Sequence, residues 1–257
     1  STRVWTASWG ASMGKKATWG IGGLLLLALT LPSLSQPTSS IRYVNNADPT
    51  CQSHNPCYGD IAEAITTVQP GETIRIQVGS YQEQLTLSGL NNTSTATEAN
   101  RIVIEADPAA SPGSVVLRGA GSVCTNGHAI RLQQSKFITI RGLTITEAGG
   151  QAISLLGGNN QNYAIHIERN RIVDNGRDAC DGGITIARGN AETLIANNLI
   201  YNNGRNGINF IDEIGGPHYL IGHTIYLNGW NGVWVARDHT THLVETWSQI
   251  TQRAAAL

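Results

Sequence analysis

Residues 203–210 read NGRNGINF, and residues 228–235 read NGWNGVWV. Both phrases contain two Asn-Gly pairs followed by alternating apolar residues. They differ at Arg205 against Trp230 and at Asn209 against Trp234. Aligned on this phrase, the chain shows further units. Their first apolar pairs are Ile130/Leu132, Ile153/Leu155, Ile184/Ile186, Ile208/Phe210 and Val233/Val235, at steps of 23, 31, 24 and 25 residues. Self-similarity at such a period marks a repeat architecture. Within each unit other apolar positions recur, as in Ile138/Ile140 with Ile145, Ile165/Ile167 with Ile172, Ile195 with Ile200, and Leu220 with Ile225. The short runs alternate apolar and polar residues, which is the period of a strand and not of a helix.

A unit of about 24 residues with three short strands predicts an all-β fold, one coil of a single-stranded right-handed parallel β-helix. One coil cannot bury its own apolar face; stacked coils bury a continuous core. Coils stack about 4.8 Å apart, so equivalent side chains form ladders. The segments NRIVDNG (170–176), NNLIYNNG (197–204) and HTIYLNG (223–229) place Asn170, Asn198 and His223 on one ladder and Asn175, Asn203 and Asn228 on another. An Asn buried at a turn bonds to the amides above and below it and tolerates left-handed backbone. Residues repeated in every coil read as scaffold, not as catalytic groups.

Over most of its length this pattern resembles the right-handed parallel β-helix repeat proteins of the pectin-lyase-like superfamily. The N-terminal part, YVNNADPTC (43–51) and then DIAEAITTVQPGETIRIQVGSYQEQLTL (60–87), is similar to the lead-in of that fold. Residues 60–68 predict a short amphipathic helix with Asp60 as N-cap, and the resemblance implies that it caps the open end of the coil. RIVIEA (101–106) and SVVLRG (114–119) predict further strands, and the polar LNNTSTATEANR (90–101) an exposed loop. After residue 235 no Asn-Gly turn returns. ETWSQITQRAAAL (245–257) leaves the register, so the end is read as a modest cap or a truncation. An uncapped edge would invite association; otherwise a monomer is expected.

The formal charge of −1 over 257 residues argues against a nucleic-acid partner, which calls for a basic excess or patch. The only methionine is Met13. Lys15 and Lys16, the apolar run 21–31 and the small-x-small site Ser33-Leu34-Ser35 follow in the order of a secretory signal. The run falls short of the roughly 20 residues of a membrane span. The expected organisation is an upstream extension at 1–12, a signal peptide at 13–35 and a β-helix domain at 36–257. The mature protein would be secreted, periplasmic or extracellular, with no membrane span after cleavage. Export makes cysteine pairing the default. Cys51 and Cys57 are expected to form a local bridge, while Cys124 and Cys180 form a second pair or remain thiols. The absence of any CxxC spacing argues against zinc.

Chemistry is expected where the ladders break. The insertion NGRDACDGG (175–183) brings Asp174, Asp178 and Asp181 near Cys180. Three carboxylates there would supply oxygen ligands to Ca²⁺; the alternative is a solvated turn held by a Cys180 bridge. The second break follows the first strand of each coil. Asp212, Arg237 and Asp238 are the candidate catalytic residues, with Glu213 and His239 beside them. Arg188, Asn209, Trp230 and Trp234 are the candidate substrate-binding residues. Arg131, Ser154 and Thr185 share the outward row of Asn209 and Trp234. A Trp face stacks on a sugar ring, an Arg fork pairs a uronate carboxylate, and a carboxylate serves as acid or base. The alternative is a surface ion-pair ladder.

VWVARDH (233–239) loosely resembles the Trp-x-Asp-His segment of pectate lyases, with two extra residues. The paired-Asp and Gly-His-Gly motifs of polygalacturonase-like hydrolases and the Tyr/Asp/His cluster of epimerases are absent. Two readings stay open. One is a polysaccharide lyase-like enzyme acting on an acidic polysaccharide. The other is a non-enzymatic extracellular β-helix module, for adhesion, a surface layer or binding of a polysaccharide or cell-surface glycan.

Overall fold

The computed structural model describes residues 40–119, 127–176, 182–211, 215–236 and the backbone of 241–242. The signal segment, Cys124, Cys180 and residues 243–257 lie outside the described residues. The described chain is a parallel β-helix of three sheets. Sheet A has nine strands, and sheets B and C have six each. One coil runs Lys136–Arg141 in sheet A, Thr144–Thr146 in B and Ile153–Leu155 in C, then re-enters A at Tyr163–Glu168.

Register follows the apolar phase of the repeat. Ile140, Ile167, Ile195 and Leu220 pair in sequence along sheet A. Ile145, Ile172, Ile200 and Ile225 do so along B, and Ile153, Ile184, Ile208 and Val233 along C. These Ile and Leu side chains are at most 2% exposed, each contributing about 2 kcal/mol of apolar burial. At the A–B corner the coils step by 27, 28 and 25 residues. Length varies at the B-to-C corner, where Ile172 to Ile184 spans twelve residues against eight from Ile145 to Ile153, and in the C-to-A turns, as in the 3₁₀ turn Gly158–Asn160.

Both Asn ladders form. Asn170 N donates to Asn198 Oδ1 at 2.9 Å, and Asn198 Nδ2 to the Ile167 carbonyl at 2.8 Å. On the second ladder, Asn175 N donates to Asn203 Oδ1 and Asn203 N to Asn228 Oδ1, both at 3.1 Å. A third ladder, Asn162 over Asn190, has Asn162 N and Nδ2 donating to Asn190 Oδ1 at 2.7 and 2.9 Å.

His223 takes an Asn position by mimicking an amide. Its Nδ1 accepts from Asn198 N at 3.2 Å, and its Nε2 faces the Ile195 carbonyl at 3.0 Å, which fixes the proton on Nε2. Burial pushes its pKa below the ordinary value. A group whose folded pKa is depressed adds stability above its unfolded pKa, and this is lost as pH falls through the window between the two. Burial likewise lowers His128 and His166. The melting temperature should therefore fall as pH drops below about 6.5, and His223→Asn should make that fall shallower. A melting temperature flat with pH would contradict this account.

The helix Ile61–Thr67 buries Ile61, Ala64 and Ile65 against the core cluster. Asp60 holds the N-cap position but makes no side-chain cap bond. The cap comes from Glu83, whose carboxylate accepts Ile61 N at 3.0 Å and Ala62 N at 2.8 Å. An anion there also meets the positive end of the helix dipole. The Cys51–Cys57 bridge forms as expected, with a Cα–Cα distance of 5.6 Å. The loop over residues 90–101 is largely exposed, though Asn91 is buried and donates to the Asn100 carbonyl at 3.1 Å. Sheet A continues past residue 235, because Thr241–His242 pairs with His218 and Tyr219. No described helix is long and apolar enough to cross a membrane.

Candidate functional site on sheet C

Strand pairing aligns Thr86, Arg131, Ser154, Thr185, Asn209 and Trp234 in one row along sheet C. Their flanking residues, such as Ile184/Ile186 and Ile208/Phe210, point into the core. Alternation therefore aims the row away from it. Ser154, Thr185 and Asn209 on the row are 8%, 3% and 3% exposed. Arg131 Nε, Thr185 Oγ1 and Asn209 Oδ1 are buried with no hydrogen-bond partner among the described residues. Each such group costs about 1–3 kcal/mol.

His128 lies three residues before Arg131 and is 6% exposed. Burial, and then the positive charge of Arg131, hold its pKa down to about 4. At neutral pH the imidazole is uncharged and is a proton acceptor beside a guanidinium. What marks His128 is its burial together with the charge of Arg131, neither of which residue spacing gives.

The row brings together two of the four sequence-predicted binding residues, Asn209 and Trp234, on adjacent coils. Trp234 is 40% exposed, and its ring is open to solvent. Trp230 sits in the preceding turn with the Arg205 guanidinium 3.7 Å from its ring centroid. Arg205 covers one ring face, so only the other is open. Arg188 is exposed two residues past the strand Ile184–Ile186, and its carbonyl accepts Gly158 N at 2.9 Å. It stands at the edge of the sheet and not on the row.

Asp212, Glu213, Arg237, Asp238 and His239 lie outside the described residues, as do Asp178 and Asp181. Asp174, the remaining member of the acidic insertion, accepts a bond from Asn202 Nδ2 one coil on. Among the described residues the sheet C face carries no carboxylate.

No family model matches the chain, and no curated protein matches it. Among solved structures it is similar to pectate lyase Pel9A, with 14% identity, a TM-score of 0.53 and coverage of 75% of this chain and 55% of that one. This chain thus spans little more than half of the lyase's length. A pectin methylesterase in complex with a hexasaccharide is matched at 12% identity and a TM-score of 0.47, over 85% of this chain and 92% of that one. An alginate lyase from Paenibacillus is matched at 13% identity and a TM-score of 0.36, over 81% and 95%. The likeness to Pel9A shows the fold, a right-handed parallel β-helix.

Proposed function

We propose that this is an exported β-helix protein that holds an acidic polysaccharide along the sheet C face and cleaves it by β-elimination. The observation that carries the reading is the polar row from Arg131 to Asn209, which ends on the part-exposed ring of Trp234. In this mechanism Arg131 pairs the uronate carboxylate and stabilises the negative charge that develops on proton loss. The neutral His128 accepts the C5 proton, and the C4–O bond breaks with its electron pair going to the leaving oxygen. That oxygen takes a proton from water to depart as a sugar hydroxyl, and a 4,5-unsaturated uronate remains. Trp234 stacks on a neighbouring sugar ring. Asp212, Arg237 and Asp238, close to the row in sequence, are proposed to complete the acid–base and carboxylate-pairing set.

A non-enzymatic glycan-binding module is the second reading. It is favoured by the lack of a carboxylate on this face among the described residues. The discriminating assay follows the ultraviolet absorbance of an unsaturated product on pectate, alginate and related uronans, with and without Ca²⁺. The lyase reading expects product on at least one polymer. It also expects His128→Ala to lower kcat by about 100-fold or more. Because His128 is unprotonated down to about pH 4, the rate should fall only as pH approaches that value. No product on any polymer, with binding retained, would leave the module.

A further inference from the structure

A separate cleft of ≈ 800 Å³ opens at the corner between sheets A and B. Its size is in the range of small-molecule sites. It exists because one corner differs from those stacked on it. Between Arg141 and Thr144 the chain turns from A to B through only Gly142 and Leu143. One coil earlier residues 107–114 make the same turn and stand out as a wall. That wall braces itself: Asp107 Oδ1 accepts Ala109 N at 2.9 Å, and Ser114 Oγ donates to the Ser111 carbonyl at 2.7 Å.

Three arginines line the cleft, and they differ in what they already hold. Arg141 donates to Glu105 Oε2 at 2.8 and 2.5 Å. Glu105, only 2% exposed, is held from its other oxygen by Arg75 at 3.0 and 2.8 Å. That triad is internally committed. Arg169 has a side chain 60% exposed, and its one ion pair among the described residues is with Glu168, at 3.7 Å. Arg171 bonds the Tyr201 hydroxyl from Nε at 2.9 Å and packs 5.4 Å from that ring. It has no carboxylate partner among the described residues. Leu199 and Ala110, both part-exposed, supply apolar lining, while Leu143 is 1% exposed and belongs to the core. Thr144, 7% exposed, also lines the cleft, and its buried hydroxyl has no hydrogen-bond partner.

Guanidinium forks recognise planar carboxylates, apolar side chains take the C–H face of a sugar ring, and an orphaned hydroxyl calls for a polar neighbour. We propose that this corner cleft is a second binding site, for a carboxylate-bearing sugar gripped by Arg169 and Arg171 and lying on Leu199 and Ala110. The choice of a sugar rests on the proposed function; the preference for a carboxylate rests on the arginines alone. A chain with both sites would hold an acidic polymer at two places, one for reaction and one for retention.

The test titrates trigalacturonate, its methyl ester and acetate into the full chain by calorimetry, alongside the eliminase assay. Two sites are expected for trigalacturonate. The ester should bind the corner about tenfold more weakly or worse, because a charge-assisted pair is lost. Arg169→Gln with Arg171→Gln should remove one site and leave eliminase activity intact. If the double variant misfolds, Arg169→Gln alone serves, since its one described ion pair is the 3.7 Å contact with Glu168; it should weaken the corner site severalfold. An unchanged isotherm in the folded variants overturns the proposal, as does equal binding of acid and ester at this site. Corner binding without any eliminase activity would sink the lyase reading while leaving this site standing. Acetate alone binding as tightly as the trimer would overturn the sugar assignment.

Discussion

Gly183→Ala is expected to prevent the coil stack from forming. A Cβ at Gly183 would lie 1.8 Å from the Gly207 carbonyl oxygen and 2.7 Å from its carbon. Both are backbone atoms. They are fixed by the coil-to-coil bonds from Gly183 N to Asn206 O at 3.1 Å and from Ile184 N to Gly207 O at 2.9 Å. Relief would mean breaking the stack at its middle. The loss should exceed about 4 kcal/mol, a large part of the stability of a typical domain. Gly207→Ala should be nearly as damaging, with its Cβ 2.6 Å from the Gly232 carbonyl oxygen. Gly59→Ala has nothing within 4 Å and is the control. Soluble yield and thermal unfolding of the three variants decide the matter. A folded Gly183→Ala with a near-normal melting temperature would show that the coils are not stacked in this register.

Asn203→Ala should have the next largest effect. Asn203 Oδ1 accepts the backbone N–H of Asn175 at 3.1 Å and its side-chain amide at 3.1 Å. Asn203 Nδ2 donates to the carbonyls of Ile172 at 3.2 Å and Tyr201 at 3.1 Å, and to Asn228 Oδ1 at 2.9 Å. At 2% exposure, water does not replace these partners. Truncation leaves at least one buried N–H and one buried carbonyl unsatisfied, at about 1–3 kcal/mol each. Urea unfolding should show a loss of roughly 3–5 kcal/mol without a change in m. Asn203→Asp keeps one acceptor but sets a carboxylate oxygen against the Ile172 and Tyr201 carbonyls, and should cost at least as much as the alanine variant. A loss below about 1 kcal/mol for Asn203→Ala would mean that the ladder is decorative.

These two predictions also explain the phrase repeated at 203–210 and 228–235. Asn203 is a ladder amide and Gly207 a close backbone contact. Asn206 accepts Asn231 Nδ2 at 3.0 Å one coil on, and Ile208 and Phe210 are core. All of this was legible because each role is set by position within one coil and returns with the period. Only Arg205, Asn209 and their counterparts Trp230 and Trp234 escape it.

Features that depend on contacts between distant or unlike segments were not legible. The Asn162–Asn190 ladder was hidden because its turn varies in length. Asn162 directly precedes its strand, whereas Asn190 stands three residues before Thr193. The helix cap went to Asp60 on local spacing, but Glu83 reaches it from across the first coil. On the sheet C face the row itself followed from the repeat. The burial of Thr185 and Asn209 did not, nor did the depressed pKa of His128, because both depend on contacts that residue spacing does not give. The A–B cleft showed in the sequence only as the gap between two predicted strands.

The central claim is that the sheet C face holds an acidic glycan. Its most direct test is calorimetric titration of a uronate oligomer into a chain already carrying Arg169→Gln and Arg171→Gln, so that the corner cleft is silent. Binding should persist in that background, fail for a neutral glucan, and weaken at least about tenfold on adding Arg131→Gln. Unchanged affinity after loss of Arg131, or equal affinity for the neutral glucan, would contradict the assignment.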